Sequence, residues 1–313
     1  MDEIRVRAPA GSSWERLAGQ MDKQSWPEGA LYVVATPIGN LGDLGLRAWW
    51  ALRVCDVIAA EDTRSSRVLL QAWDIDTPLM AAHRHNEASA AAAIVARLAR
   101  GERVALVSDA GCPAVSDPGA RVVRAAREAG HRVIPIPGAS AVTTALMASG
   151  ATSDENPAYA FAGFVPAKAG ARLAWLRRWC ALPAPVVMYE SPHRLQATLA
   201  ALPGVCGPER PLTVARELTK RFEQVVTLPA GEAAVWLASD PRHGQGEFVL
   251  IVHEDAQAPD VDAGLDDAQR LLLDELLGVL SVRDASRVVA KVTGLPRREV
   301  YEVALRRAGP AEG

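Results

Sequence analysis

Asp109 and Asp117 flank the turn Gly111–Cys112–Pro113 inside the stretch VALVSDAGCPAVSDPG, Val104–Gly119. Two carboxylates thus bracket small residues, and such residues let backbone N–H and C=O groups approach a ligand closely. Glu61–Asp62–Thr63–Arg64 places two carboxylates, a hydroxyl and a guanidinium directly after the apolar run Val54–Ala60. Glu61 and Asp62 can cap a following helix; alternatively the group binds substrate, with Arg64 or Arg67 on a phosphate. His83–Arg84–His85–Asn86 carries two histidines but no carboxylate at metal-ligand spacing, so it reads as a solvated or RNA-contacting loop. Tyr189–Glu190–Ser191–Pro192–His193–Arg194 follows another apolar run, and Ser191 before Pro192 is a helix-start signature. Arg216–Glu217–Leu218–Thr219–Lys220–Arg221 mixes both signs of charge on and after a strand, where a surface ion-pair ladder is the competing reading.

These groups need elements to hold them. Between Leu31 and Gly150, β-branched runs at 31–36, 54–60, 103–108 and 131–136 alternate with helical patterns at 44–52, 63–72, 88–100, 117–130 and 139–149. That alternation predicts a parallel sheet with crossover helices. Ligands of such sheets sit at the carboxyl ends of the strands. Three strand-to-loop edges of one kind lie there: Thr36–Asn40, Ser108–Gly119 and Pro137–Ser140. Ser116 or Asp117 can cap the helix at 117–130, with Pro118 in its first turn and Gly130 at its end. Gly150–Pro157 reads as a linker. Beyond it, strands are expected at Tyr159–Val165, Val186–Tyr189, Leu212–Leu218, Gln224–Leu228 and Glu247–His253, with helices at 168–180, 191–202 and 230–238. Short connections between the last strands imply a mixed sheet.

Ala256–Gly264 reads as a second linker, followed by helices at about 266–279, 283–292 and 297–308. The last two are joined through Thr293–Gly294–Leu295–Pro296, which resembles a helix-turn-helix. Between Arg283 and Arg307 there are seven basic residues (283, 287, 291, 297, 298, 306, 307) against three acidic ones (284, 299, 302). The domain reading is therefore a flexible extension 1–28, an α/β domain 29–150, a second α/β domain 151–255, and a helical tail 265–313.

Composition narrows the class. Apolar residues make up 49% of the 313, enough for sizeable cores, and this excludes global disorder. The net charge of −3 excludes a general polycation, so any nucleic-acid contact must use local basic surface. Cys55, Cys112, Cys180 and Cys206 form no CxxC pair and read as thiols of a reducing compartment. No apolar run spans a membrane and the N-terminus has no secretory core, so a cytoplasmic protein is expected. Neither GxGxxG nor GxxxxGK[ST] occurs, which disfavours a generic dinucleotide or nucleoside-triphosphate protein.

The stretches LYVVATPIGNLGD, EDTRSSRVLL, VALVSDAGCPAVSDPG, IPIPGASAVTTALMASG, FAGFVP, YESPHRL, RELTKRFEQV and GEFVLIV occur in this order over residues 31–252. Together they resemble the small-subunit ribosomal RNA methyltransferase I branch of the tetrapyrrole-methylase family, and the basic tail is similar to that branch's C-terminal helix-turn-helix. The chain departs at Cys112, where Thr is usual, at Ser65–Ser66, where His–Thr is common, and at Gly45, where a β-branched residue is usual. The resemblance implies two α/β domains with the ligand cleft between them, S-adenosylmethionine as methyl donor, no metal, and a homodimer. It implies methylation of the ribose 2′-oxygen of a decoding-centre cytidine in 16S rRNA, on naked RNA or the assembled small subunit.

Carried onto this chain, the resemblance places the donor against Pro37, Ile38, Gly39 and Asn40; Ser108, Asp109, Gly111, Cys112 and Pro113; and Gly138, Ala139, Ser140 and Ala141. Tyr189, Arg216, Gly246, Glu247 and Phe248 close on it from the second domain. Asp109 is the candidate carboxylate near the donor, and Glu190 and Lys220 are candidates for handling the hydroxyl proton. Glu61, Asp62, Arg64, Arg67, Arg194 and Lys220 are candidates for RNA contact. Methyl transfer to an alcohol is an in-line displacement, in which positioning alone can supply up to about 7–11 kcal/mol. A base or cation near the weakly acidic hydroxyl adds to that. A porphyrinoid C- or N-methylase of the same fold and a non-catalytic RNA-binding assembly factor are the competing readings. The basic tail argues against the first, and the overall acidic balance argues against the second.

Overall fold

A computed structural model describes residues 11–83, 86–154, 156–254 and 265–307, and the chain divides into two units, Met1–Glu254 and Asp255–Gly313. The first unit begins with α1 (Gly11–Asp22), inside the stretch expected to be a flexible extension. The segment between α1 and the first strand is tied down by hydrogen bonds that include Trp26 Nε1 to Met21 O (2.8 Å), Arg103 Nε to Trp26 O (2.9 Å) and Tyr32 OH to Pro27 O (2.9 Å).

Five strands then alternate with helices: β1 (Ala30–Val34), α2 (Leu46–Val54), β2 (Val57–Ala60), α3 (Thr63–Ala72), β3 (Leu79–Ala81), α4 (Glu87–Ala99), β4 (Val104–Val107), α5 (Ala120–Glu128), β5 (Arg132–Ile136) and α6 (Ala141–Ser149). All pairings are parallel, in the order β3-β2-β4-β1-β5. Every residue of β2 and β4 is buried, because helices cover both faces. Tyr32, Val34, Ile58 and Ala105 point to the face packed by Leu44, Ala48, Leu52 and Leu70; Leu31, Val57, Ala59 and Leu106 point to the face packed by Ile94, Leu98, Val122 and Ala126.

Two local differences from the expected elements stand out. The edge strand β3 is a fifth strand beyond the four expected, and its three residues are too few to show a period. The helix expected from 117 starts at Ala120, with Gly119 as its N-cap at φ +129°. Neither Ser116 nor Asp117 caps it. Glu87, at the start of α4, accepts from the backbone N–H of Gly119 (3.0 Å) and of Arg121 (3.2 Å). A carboxylate from a neighbouring helix thus meets the orphan amides that a local Ser or Asp would have met.

The second sheet uses β6 (Ala160–Phe164), α7 (Ala169–Cys180), β7 (Val186–Glu190), α8 (Pro192–Ala201), α9 (Pro203–Cys206), β8 (Pro211–Arg216), β9 (Gln224–Pro229), α10 (Ala233–Ser239) and β10 (Phe248–Val252). Its order is β6-β7-β10-β8-β9, with β6–β7 parallel and the other pairs antiparallel, so it is mixed as expected. One face packs Leu176, Leu195, Leu199 and Ala233 of the helices. The other presents Val187, Ala215, Val249 and Ile251 to Val142 and Ala145 of α6, with Ile38 alongside. Helix α6 therefore joins the two sheets, and the carboxyl ends of the parallel strands open beside it.

The second unit holds α11 (Asp267–Leu277), α12 (Val282–Thr293) and α13 (Arg297–Arg307), close to the expected bounds. Asp266 and Gln269 form a capping box, Ser281 caps α12, and Gly294 ends it at φ +76°. Its core is its own: Leu265, Leu273, Ala285, Val289, Val300, Val303 and Ala304. The expected linker residues 256–264, Arg84–His85 and Ala308 lie outside the described residues. No described helix is long and apolar enough to cross a membrane.

Candidate functional site

A cavity of about 380 Å³ lies beside the carboxyl ends of β1, β4 and β5. From the first sheet it is lined by Ile38, by Ala110, Gly111, Cys112, Val115 and Asp117, and by Ser140 and Ala141. From the second it is lined by Phe164, Tyr189, Glu190, Ser191, Pro192, Leu218, Glu247, Phe248 and Val249. The size and the mix of apolar walls with a few polar groups suit a small organic ligand.

Backbone fixes the first wall. Thr36 N–H donates to Gly111 O (2.9 Å) and Gly111 N–H to Thr36 O (3.0 Å), which pins the loops after β1 and β4 together. Thr36 Oγ1 donates to Ser108 O (3.3 Å), and Cys112 Sγ reaches Ala139 O of the third loop (3.6 Å). A Cβ on Gly138 would stand 3.0 Å from Ala35 Cβ and 3.2 Å from its carbonyl oxygen, so only glycine lets these loops close up. Ala114 (φ +68°) and Ser116 (φ +63°) hold left-handed conformations on this wall, the kind of strain that collects at ligand sites. The first turn of α6 has no side-chain cap from Ser140 and opens on the cavity. An anionic group is stabilised at such a helix start.

Side chains form the second wall. Tyr189 packs edge-to-face on Phe161 (4.9 Å between ring centres) and Phe164 (5.2 Å). Burial, aided by the charge of Asp117, pushes its phenol up to about 12, so it stays a neutral O–H. Burial likewise pushes the Cys112 thiol up, which keeps it protonated rather than nucleophilic.

The three catalytic candidates are placed differently. Glu190 is buried, and its Oε1 accepts from Ser191 N–H (2.7 Å) and Arg194 Nε (3.1 Å), its Oε2 from Thr198 Oγ1. Those donors hold the carboxylate as the anchor of α8. Lys220 Nζ donates to Glu217 Oε1 (2.8 Å) and Glu247 Oε2 (2.6 Å). Burial works to lower the Lys220 ammonium, but the two carboxylates outweigh it and the net shift is upward. Asp109 is exposed beside Ala110; its Oδ1 accepts from Asp62 N–H (3.0 Å), and Oδ2 has no partner among the described residues.

Of the expected donor contacts, Ile38, Gly111, Cys112, Ser140, Ala141, Tyr189, Glu247 and Phe248 line the cavity. Pro37, Ser108, Pro113, Gly138 and Ala139 build the loops of its first wall. Asn40 Oδ1 instead accepts from Gly42 N–H (3.0 Å) and starts a short helical turn. Gly39 and Gly246 (φ +100°) make room for other side chains: a Cβ on Gly39 would meet Lys220 Cγ at 2.6 Å, and one on Gly246 would meet Glu217 Cγ at 2.5 Å. Arg216 does not line this cavity; it donates to Gln245 O (3.0 and 3.3 Å) and Phe222 O (3.3 Å) in a neighbouring groove. Of the RNA candidates, Asp62 caps α3 and holds Arg64 (2.8 Å), Arg194 is taken up by Glu190, Arg67 is exposed, and Glu61 is half-buried after β2. Phe164, Leu218 and Val249 were not anticipated as lining residues. Their stretches stood out in the sequence, but an apolar residue on a cavity wall has the same signature as one in a core.

Residues 30–234 match the family of Tetrapyrrole (Corrin/Porphyrin) Methylases, and residues 262–308 match the RsmI C-terminal HTH domain. Ribosomal RNA small subunit methyltransferase I of Pseudomonas aeruginosa is 44% identical over 90% of this chain and 98% of its own length. The protein of that name from Neisseria meningitidis serogroup A is 43% identical over 88% of this chain and 93% of its own. Among solved structures, uroporphyrin-III C-methyl transferase from Thermus thermophilus complexed with S-adenyl homocysteine superposes with a TM-score of 0.51 at 17% identity, covering 71% of this chain and 97% of that one. At that identity the likeness is one of fold.

Proposed function

This chain belongs to the ribosomal RNA small subunit methyltransferase I family, and from that premise we propose that it transfers a methyl group from S-adenosylmethionine to RNA of the small ribosomal subunit, at the ribose 2′-oxygen of a decoding-centre cytidine in 16S rRNA. When bound, the donor supplies a methyl carbon on a positively charged sulfur, ready for in-line displacement.

The observation that carries the reading is the cavity itself. Its backbone-lined wall at Gly111–Cys112 and Ser140–Ala141 faces the apolar wall at Leu218, Phe248 and Val249. Such a pair of walls suits a ligand with one polar, charged end and one flat, apolar end. The start of α6 suits the donor's carboxylate. That the uroporphyrin methyltransferase crystallised with S-adenyl homocysteine agrees with this use of the fold.

The chain's residues divide the work by geometry. Glu190, engaged by three donors, positions the start of α8. Lys220, held charged between two carboxylates, braces Gly39 and the loop after β8. Asp109, which stands beside the cavity-lining Ala110 and has one oxygen unpaired among the described residues, is the candidate carboxylate near the donor. Replacing it by Ala weakens donor binding; an unchanged dissociation constant by calorimetry overturns that role. A homodimer is part of the proposal and is checked by sedimentation at working concentrations. Since the substrate is ribosomal, the proposed place of action is the cytoplasm.

The deciding experiment mixes the purified protein, labelled S-adenosylmethionine and undermethylated small subunits, then digests the rRNA to nucleosides. Label in 2′-O-methylcytidine is the expected result. No label in RNA, with label taken up by a porphyrinoid precursor in a parallel reaction, would move the chemistry to a small-molecule methylase of the same fold.

A further inference from the structure

We infer that the groove walled by Phe222, Arg221, Arg242 and His243 is a subsite for an unpaired nucleotide of the RNA, one that flanks the nucleotide being methylated. The inference rests on the proposed RNA activity and extends it to a surface outside the methyl-transfer cavity.

The groove, of about 580 Å³, lies on the other side of the loop that follows β8. That loop runs 217–223. Leu218 on it lines the methyl-transfer cavity, and Phe222 on it lines the groove, so one short segment borders both sites. Phe222 is 59% exposed, an aromatic ring kept in water. Arg221 lies over it, its guanidinium carbon 5.5 Å from the ring centre, and no carboxylate pairs with Arg221 among the described residues. A ring plus an uncompensated guanidinium is the pairing that stacks a base and takes its phosphate.

The opposite rim carries a stacked ring and a guanidinium paired by Asp240, which also lines the groove. His243 stacks on Trp236 (4.2 Å between ring centres, 11° between planes), and Asp240 holds the Arg242 guanidinium through Nε (3.0 Å). Gln224 and Gln245 also line the groove and add side-chain amides able to donate and accept.

The groove is also stiff. The buried Arg216 donates to Phe222 O on one rim and Gln245 O on the other, and so fixes their separation. Glu217 (φ +50°) and Thr219 (φ +66°) are held in left-handed conformations, and Thr219 N–H donates to the Glu223 carboxylate. A loop ordered in advance loses little entropy when a nucleotide binds. Arg216 is thus a positioning residue for this groove rather than a donor contact.

The test uses the full chain with undermethylated small subunits, and separately a short fluorescein-labelled single-stranded oligoribonucleotide spanning the target cytidine. Phe222→Ala raises KM for the subunit about tenfold or more and weakens oligonucleotide binding to the same degree, since base–aromatic stacking is worth about 1–3 kcal/mol. Its kcat and its affinity for S-adenosylmethionine stay within about twofold. Phe222→Trp restores wild-type KM and binding. Equal RNA affinity for Phe222→Ala and wild type overturns the subsite, as does a Phe222→Trp variant as impaired as the alanine one. If the oligonucleotide binding shows the expected pattern but no methyl reaches RNA, the subsite stands and the methyl-transfer reading fails.

Discussion

At Gly246 the backbone sits at φ +100°, and a methyl group there would stand 2.5 Å from Glu217 Cγ. Gly246→Ala therefore adds backbone strain and displaces Glu217, which holds Lys220 (2.8 Å) and accepts from Glu247 N–H (3.1 Å). The expected loss is about 1–3 kcal/mol in urea unfolding, with weaker donor binding, because Glu247 and Phe248 line the cavity. Lys220 itself is raised in the fold and is a poor base at neutral pH. Lys220→Gln then lowers methyl transfer without changing the shape of its pH profile; a lost basic limb would restore Lys220 as the proton acceptor. The sequence names residue types here but not their partners. Glu190 accepts from Ser191 N–H, Arg194 and Thr198, Arg216 donates to backbone carbonyls and Lys220 to two carboxylates, and such partners are not written in residue type. His253 is a case the sequence does not flag. Burial, with the nearby Arg210, lowers its imidazole, and its Nε2 sits 2.7 Å from Thr213 Oγ1. The unfolded chain takes up a proton near pH 6.5 while the folded chain resists it. Stability is thus full above about pH 6.5 and falls as pH drops through the lower folded value. His253→Gln flattens that fall, as urea midpoints between about pH 7.5 and pH 5 would show.

Helices and strands with several turns of apolar periodicity were legible: α3, α4, α7 and the central strands fall within a few residues of their expected bounds. What was not legible is set by distant contacts. The start of α5 depends on Glu87, 32 residues earlier. Glu87→Ala removes the acceptor for Gly119 and Arg121 and costs about 1–2 kcal/mol in urea unfolding; a cost near zero would mean that water replaces it. The cavity walls divide in the same way. Small residues at strand ends announced the loops at 36–40, 108–113 and 138–141, whereas Phe164, Leu218 and Val249 were hidden among core-like residues. In the tail, Arg283, Arg287 and Lys291 are exposed at i, i+4 and i+8, a single stripe along α12. On the RNA reading they meet phosphates. Changing all three to Gln lowers the slope of log affinity against log salt by about 2, at about 0.7 per phosphate for single-stranded RNA. An unchanged slope would take α12 out of the interface.

At the scale of the molecule, a net charge of −3 leaves RNA attraction to local surfaces. The tail's charge is uneven along its helices: Asp266, Asp267, Asp274 and Glu275 against Arg270 at α11, and seven basic residues against Asp284, Glu299 and Glu302 on α12 and α13. It also folds around its own apolar cluster, Leu273, Ala285, Val289, Val300 and Ala304, and caps its helices with its own Asp266 and Ser281. The first unit likewise closes its cores within residues 30–252. Among the described residues, the cavity is lined from residues 38–249. On the proposed reading, donor binding and RNA gripping are therefore separable. A chain ended after Glu254 is expected to bind S-adenosylmethionine with the wild-type dissociation constant by calorimetry. Its KM for small subunits rises by tenfold or more, and the salt dependence of its RNA binding weakens. If the shortened chain lost donor affinity while keeping its thermal transition, the tail would have to act on the cavity itself. If its KM were unchanged, the RNA would be gripped by the first unit alone, and the groove at Phe222 would carry that task.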